Sequence, residues 1–195
     1  MYYFTSDLHL GNNYAIALNN RPFKDYKQFE RYVVKTWNSQ VDGNDIIYVI
    51  GDLVDCHNKD NDTWKKSLNI VKKINSKIIL IMGNNEERVV KYFFNNDFEA
   101  FRQYCLKLGY LDVKYHDKIK VKHRAFYLTH KPIDHSKTML TLFGHSHNAM
   151  GLYKSFGFNI GCDLSHFHLY DENDIMHLLD MKIKYWDNDE NLKLI

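Results

Sequence analysis

The sequence predicts an α/β fold, either one mixed sheet or two packed sheets with helices outside. Three observations carry this. Short apolar runs bounded by Gly or polar residues recur along the chain (Tyr2-Tyr3-Phe4, Ile46 to Ile50, Ile78 to Met82, Phe126-Tyr127-Leu128, Leu140 to Phe143) and read as buried strands. Between the early runs, apolar residues recur at helical spacing. From Tyr110 to Ile160 strand-like runs dominate, so the chain is alternating first and mostly β afterwards.

The elements follow in order. Tyr26, Phe29, Val33 and Trp37 make one apolar face of a helix over Asp25 to Gln40. Val41-Asp42-Gly43-Asn44-Asp45 is a turn into the second strand. Asp62 is the expected N-cap of a helix through Ile74, with Trp64, Leu68, Val71 and Ile74 inward and Lys65, Lys66, Lys72 and Lys73 outward. The third strand ends at Gly83, and helical segments fill Glu86 to Leu108. A last strand near Phe156 to Ile160 and a helix over Asp171 to Met181 close the chain.

A chain of 195 residues fits a single domain spanning 1–195, and no repeat, linker or low-complexity tract marks a boundary. A net charge of +2 is too small to argue nucleic-acid binding by itself. The N-terminus enters a strand without a basic, then apolar, leader, so no signal peptide is expected. No apolar run approaches the roughly 18 residues of a membrane span. Cys56, Cys105 and Cys162 cannot all pair and lack Cys-x-x-Cys spacing, so reduced thiols and a cytoplasmic location are expected.

Each of the five apolar runs ends in residues that bind metal. Asp7 and His9 follow the first, Asp52 the second, Asn84 the third, His130 the fourth, and His145 and His147 the fifth. If the strands share a sheet, residues just past their ends converge on one rim. Residues two apart in extended chain project to one side, so Asp7 and His9 can grip one ion. His145 and His147 can serve one ion or two neighbours. Asp52 can bridge two ions, and Asn84 offers an amide oxygen. Nitrogen and oxygen donors without thiolate suit Mn, Fe, Co, Ni or Zn. Seven donors exceed one four-coordinate ion and fit two, about 3.5–4 Å apart.

The ordered set Ser6-Asp7-Leu8-His9, Gly51-Asp52-Leu53-Val54-Asp55, Gly83-Asn84-Asn85-Glu86, Thr129-His130-Lys131-Pro132 and Gly144-His145-Ser146-His147 resembles the calcineurin-like metallophosphoesterase superfamily. Arg21-Pro22-Phe23 and Trp37-Asn38 also resemble its small bacterial and phage members. The resemblance implies a four-layer α/β/β/α sandwich of two mixed sheets flanked by helices, with a dinuclear site on one rim. It implies Asp7, His9 and His147 on one metal, Asn84, His130 and His145 on the other, and Asp52 bridging. Two divalent ions, Mn²⁺ first among them, would make hydroxide available near neutral pH for direct attack on phosphorus.

One position departs from the family pattern. Asn85 stands where the family usually has a His that serves the leaving oxygen, and Asp55 is the residue that orients that His. An amide donates a hydrogen bond but delivers no proton, and general acid catalysis is worth ~10²–10⁴-fold. The reading is therefore hydrolysis of a phosphodiester or pyrophosphate bond in a nucleotide-like substrate, nucleic acid included. Asn84, Asn85, Asp52 and Asp55 are the catalytic set. The alternatives are a phosphomonoesterase in which Asn85, His57 or His135 supplies the acid, and a metal-binding interaction module without turnover. His116, His123 and His177 read as surface or packing residues, and His166 and His168 as part of a strand-like stretch. Lys118, Lys120, Lys122 and Arg124 form a cationic strand face, which guards an edge strand or steers a polyanion.

Overall fold

A computed structural model of the chain describes residues 1–57 and 62–185. The first sheet has the order β10-β1-β2-β3-β4. β1 (Tyr2–Thr5), β2 (Ile46–Ile50), β3 (Lys77–Ile81) and β4 (Asp112–Lys114) run parallel, and β10 (Tyr170–Asp171) lies antiparallel on the β1 edge. The second sheet has the order β5-β6-β7-β9-β8. In it β6 (Arg124–Leu128), β7 (Leu140–Phe143) and β9 (Gly157–Asn159) are parallel. The edge strands β5 (Asp117–Val121) and β8 (Tyr153–Lys154) are antiparallel to their neighbours. The fold is thus two mixed sheets with helices, the arrangement that the family resemblance implies.

Alternation along each strand of the first sheet divides two cores. Tyr3, Ile47, Val49, Ile78 and Leu80 face the helices. There they meet Ile16 of α1 (Asn13–Leu18), Phe29, Val33 and Trp37 of α2 (Tyr26–Asn38) and Trp64 and Leu68 of α3 (Thr63–Leu68). Val89 of α4 (Asn84–Phe93) and Phe101 and Cys105 of α5 (Phe98–Leu108) complete that core. Phe4, Tyr48, Ile50, Ile79 and Ile81 point the other way, onto Ile119, Phe126, Leu128, Leu142 and Phe158 of the second sheet. Ile175, Met176, Leu178 and Leu179 of α6 (Glu172–Tyr185) join this inter-sheet core.

Several boundaries differ from expectation, each for a local reason. The helix from Asp62 covers only Thr63–Leu68 and tightens into a 3₁₀ turn over Asn69–Lys73. Asp62 makes no capping bond, and the Asn69 amide donates back to the Lys65 carbonyl at 2.6 Å, competing with the α-helical ladder. The helical stretch after Gly83 is two helices, parted where Asn95 and Asn96 adopt φ of 51° and 63°. The stretch carrying His166 and His168 is a turn, with both histidines exposed. Helix α1 was not anticipated; its cap is Asn12, which accepts from Tyr14 N at 2.7 Å. Asp25 caps α2, accepting from Gln28 N at 2.7 Å. Cys56, Cys105 and Cys162 are buried thiols. Among the described residues no helix is long and apolar enough to cross a membrane.

Candidate metal centre

The parallel strands β1, β2, β3, β6 and β7 deliver Asp7 and His9, Asp52, Asn84, His130, and His145 and His147 to one rim. Past the end of β1 the backbone keeps pairing with the chain after β2. Asp7 N donates to Gly51 O at 3.1 Å and His9 N to Asp52 O at 2.9 Å. Asp7 then ties the sheets together, its carboxylate accepting from His145 N at 2.9 and 3.0 Å.

Five of these seven residues have left-handed backbone: Asp7 (φ 61°), His9 (50°), Asp52 (50°), His145 (72°) and His147 (46°). Such conformations cost of order 1–3 kcal/mol each in non-glycine residues and persist only where surroundings fix them. Here the strand ends turn sharply and bring the side chains onto a common point. Gly144 permits the close approach, since a Cβ there would collide with Ser6 Oγ and Asp7 Oδ2. Gly83 does the same beside Asp52.

The donors fall into two groups. Ligand atoms of Asp7, His9 and His147 lie within 4.8 Å of one another, as do those of Asp7, Asp52 and His130. The imidazoles pair correspondingly: His9 and His147 stack at 5.0 Å, and His130 and His145 meet edge-on at 5.2 Å. Asn84 Oδ1 lies 2.8 Å from His145 Nδ1 and 3.2 Å from His130 Nε2. Asp7 belongs to both groups, and its oxygens also accept from His145 N. Asp52 turns one oxygen to each side, with Oδ2 at 3.5 Å from His9 Nε2 and Oδ1 at 3.5 Å from His130 Nε2.

Each of three rings is oriented through its Nδ1, leaving Nε2 for the centre. His130 Nδ1 lies 2.9 Å from the Ile50 carbonyl oxygen, His147 Nδ1 3.0 Å from Asp163 Oδ2, and His9 Nδ1 3.4 Å from Asp55 Oδ1. Asp163 is in turn gripped by buried Arg21, Nε to Oδ1 at 2.7 Å and Nη2 to Oδ2 at 2.9 Å. The same guanidinium donates to the Leu8 and Asp7 carbonyls at 2.6 and 2.7 Å and lies 4.8 Å over the Phe29 ring. Arg21 and Asp163 had no assigned role in the sequence reading. Only the Arg21-Pro22-Phe23 resemblance hinted at one of them.

Charge explains the electrostatics. Burial alone would lower the pKa of His130, but the neighbouring Asp52 carboxylate outweighs it and raises it to about 9. Asp52 is lowered despite its burial by the same pairing. Burial and the charge of Asp52 push Glu86 up. Glu86 is fully buried and accepts from Asp52 N, Gly83 N and Val54 N at 2.8, 2.9 and 3.1 Å, so it fixes the Asp52 turn rather than facing substrate.

The other sequence candidates divide. Asn85 is only 1% exposed; its Nδ2 donates to Asp52 Oδ2 at 2.7 Å and its Oδ1 accepts from Cys56 N at 3.0 Å, so its amide is engaged inside the rim. Asp55 keeps histidine partners despite Asn85, since His9 and His57 both reach it, His57 Nε2 at 3.2 Å. His135 lies with Nδ1 2.9 Å from the Pro132 carbonyl oxygen and stacks on Phe156 at 4.2 Å. Lys118, Lys120, Lys122 and Arg124 are exposed on and beyond β5, with Lys122 on Asn173.

The buried donors fit divalent cations. His9 Nε2 is buried without a hydrogen-bond partner and faces Asp52, and the buried carboxylates of Asp7 and Asp52 converge on imidazole nitrogens. The donor set of carboxylate, amide oxygen and imidazole suits borderline divalent metals.

Comparison with other proteins bears on the fold and the family. The crystal structure of the protein of unknown function AQ665 from Aquifex aeolicus superposes with a TM-score of 0.66 at 23% identity, covering 91% of this chain and 98% of that one, and shares the fold. Uncharacterized protein MJ1445 of Methanocaldococcus jannaschii is 33% identical over 95 residues, 46% of this chain, and the matched region spans about half (52%) of that relative. The model of the calcineurin-like phosphoesterase family matches residues 2–177, nearly the whole described chain, and the protein belongs to that family.

Proposed function

We propose that the chain is a dinuclear metal-dependent phosphoesterase that hydrolyses a phosphodiester or pyrophosphate bond of a nucleotide-like substrate. The observation that carries it is Asp52, whose two oxygens face His9 on one side and His130 on the other at 3.5 Å each. Asp7, His9 and His147 would hold one ion and Asn84, His130 and His145 the second, with Asp52 between. Mn²⁺ is the proposed metal. Bound there, the ions would lower the pKa of water and offset the negative charge of the phosphate.

The chain's own residues do the rest. Asp163, Asp55 and the Ile50 carbonyl each orient one imidazole through its Nδ1 and turn Nε2 toward the centre. Glu86 and Asn85 clamp the Asp52 carboxylate and its turn. Asn85 is buried and can give no proton, so bonds whose leaving oxygen needs none are favoured. The test is a Mn²⁺-supplemented comparison of bis-p-nitrophenyl phosphate with p-nitrophenyl phosphate, followed by natural nucleotides. Higher kcat/KM on the diester supports the reading; activity confined to monoesters refutes it.

One observation favours a monoesterase instead. His57 is an exposed imidazole 3.2 Å from Asp55, a carboxylate–histidine pair at the site's edge. If it supplies the proton, His57→Ala lowers monoester turnover and removes the basic limb of its pH profile, while diester turnover changes little.

A further inference from the structure

A cavity of about 260 Å³ opens beside the candidate centre, and His130 and Thr129 line it. Its far side is aromatic. His116 and Tyr127 lie with ring centroids 5.6 Å apart at 35°, and Tyr115, 48% exposed, rests on Phe98 at 4.6 Å. His116, exposed as expected of a surface residue, lines this cavity.

Charge limits what fits. Lys131 is paired with Glu87 at 2.8 Å, and Asp134 adds a second carboxylate. Apart from His130, which belongs to the candidate centre, the cavity's charged groups are one cation against two anions, a poor place for a second phosphate. Its volume is below the ~300 Å³ at which pockets for drug-sized ligands begin, so it suits one flat group rather than an oligomer. Aromatic faces bind bases regardless of sequence, and the carboxylates can accept from exocyclic amines and ring N–H groups.

We propose that this cavity holds the nucleobase of the substrate, placing one nucleoside substituent of the phosphate against Tyr127 and His116 while the phosphorus sits at the neighbouring centre. The proposal rests on the phosphoesterase reading and narrows it to esters carrying an uncharged heteroaromatic base. Tyr127 and His116 are then specificity residues that touch substrate without taking part in bond cleavage.

The test compares two ligands with the same phosphate, adenosine 5′-monophosphate and ribose 5-phosphate. Each is titrated calorimetrically into Mn²⁺-loaded protein and assayed as an inhibitor of bis-p-nitrophenyl phosphate hydrolysis. Base stacking should make the nucleotide tighter by about 10- to 100-fold. Tyr127→Ala and His116→Ala should shrink that ratio, and Tyr127→Phe, which keeps the ring, should retain it. Equal affinity for the two ligands, or a preference that survives both alanine variants, overturns the proposal. Absence of hydrolysis overturns the phosphoesterase reading separately, and the calorimetric ratio still decides the cavity in that case.

Discussion

The two sides of the rim hold their histidines differently. On the His9–His147 side, each Nδ1 meets a carboxylate, Asp55 or Asp163, and Asp163 is locked by a buried guanidinium. On the His130–His145 side, support comes from the Ile50 carbonyl and from Asn84, itself a candidate ligand; His145 is exposed and the aromatic cavity opens next to His130. The difference teaches that one half of the site is held rigid before anything binds, while the other lies beside an open cavity. Asp52 joins the halves, so the account makes graded predictions about each.

The largest effect should come from the joint itself. Asp52→Asn removes the shared charge and should lower kcat/KM by more than the ~10–100-fold typical of losing a supporting residue, with the fold intact by circular dichroism. A milder loss would mean that the halves work independently.

Next comes the rigid side. Asp163→Asn leaves the His147 tautomer unspecified and Arg21 short of its counter-charge. Metal affinity should fall ~10–100-fold, and in a two-phase isotherm the tighter phase alone should shift. A matching shift of both phases would show that the sides are not distinct.

The effect that is smallest per step, read per pH unit, belongs to the open side. Because Asp52 raises His130 to about 9, its ring is protonated in the metal-free protein at neutral pH. A folded pKa above the unfolded value of 6.5 means that the Asp52–His130 pair stabilises the metal-free fold fully below pH 6.5 and is lost as pH rises through about 9. Metal binding must expel that proton and runs the opposite way. Affinity should climb by at most ~tenfold per pH unit across this window. Titrations in buffers of differing ionisation enthalpy should report proton release, and a flat profile would contradict the assignment of His130 as a ligand.

What the sequence could and could not disclose follows from how far each interaction reaches. The five strands and the residues just after them were legible, because burial of a strand writes an apolar run and a sharp turn follows it. Asp7, His9, Asp52, Asn84, His130, His145 and His147 lie at the ends of those strands, and their role as ligands is the proposal. The support was not legible. Arg21 meets Asp163 across 142 residues, and no local pattern announces such a pair. Nor did the sequence indicate that Asn85 turns inward to Asp52 and Cys56, or that Asp55 takes His9 and His57, since side-chain direction depends on the packed neighbours. The aromatic cavity escaped for the same reason: its walls come from the chain after β4, from β6 and from the start of α4.

The central claim is that the rim is built for two ions joined through Asp52. Its most direct measurement is metal stoichiometry by elemental analysis after reconstitution with Mn²⁺, in the native chain and in Asp52→Asn. The account predicts two ions per chain in the native protein and fewer in the variant. Saturation at one ion in the native chain, or two ions held equally well without the Asp52 carboxylate, would contradict it.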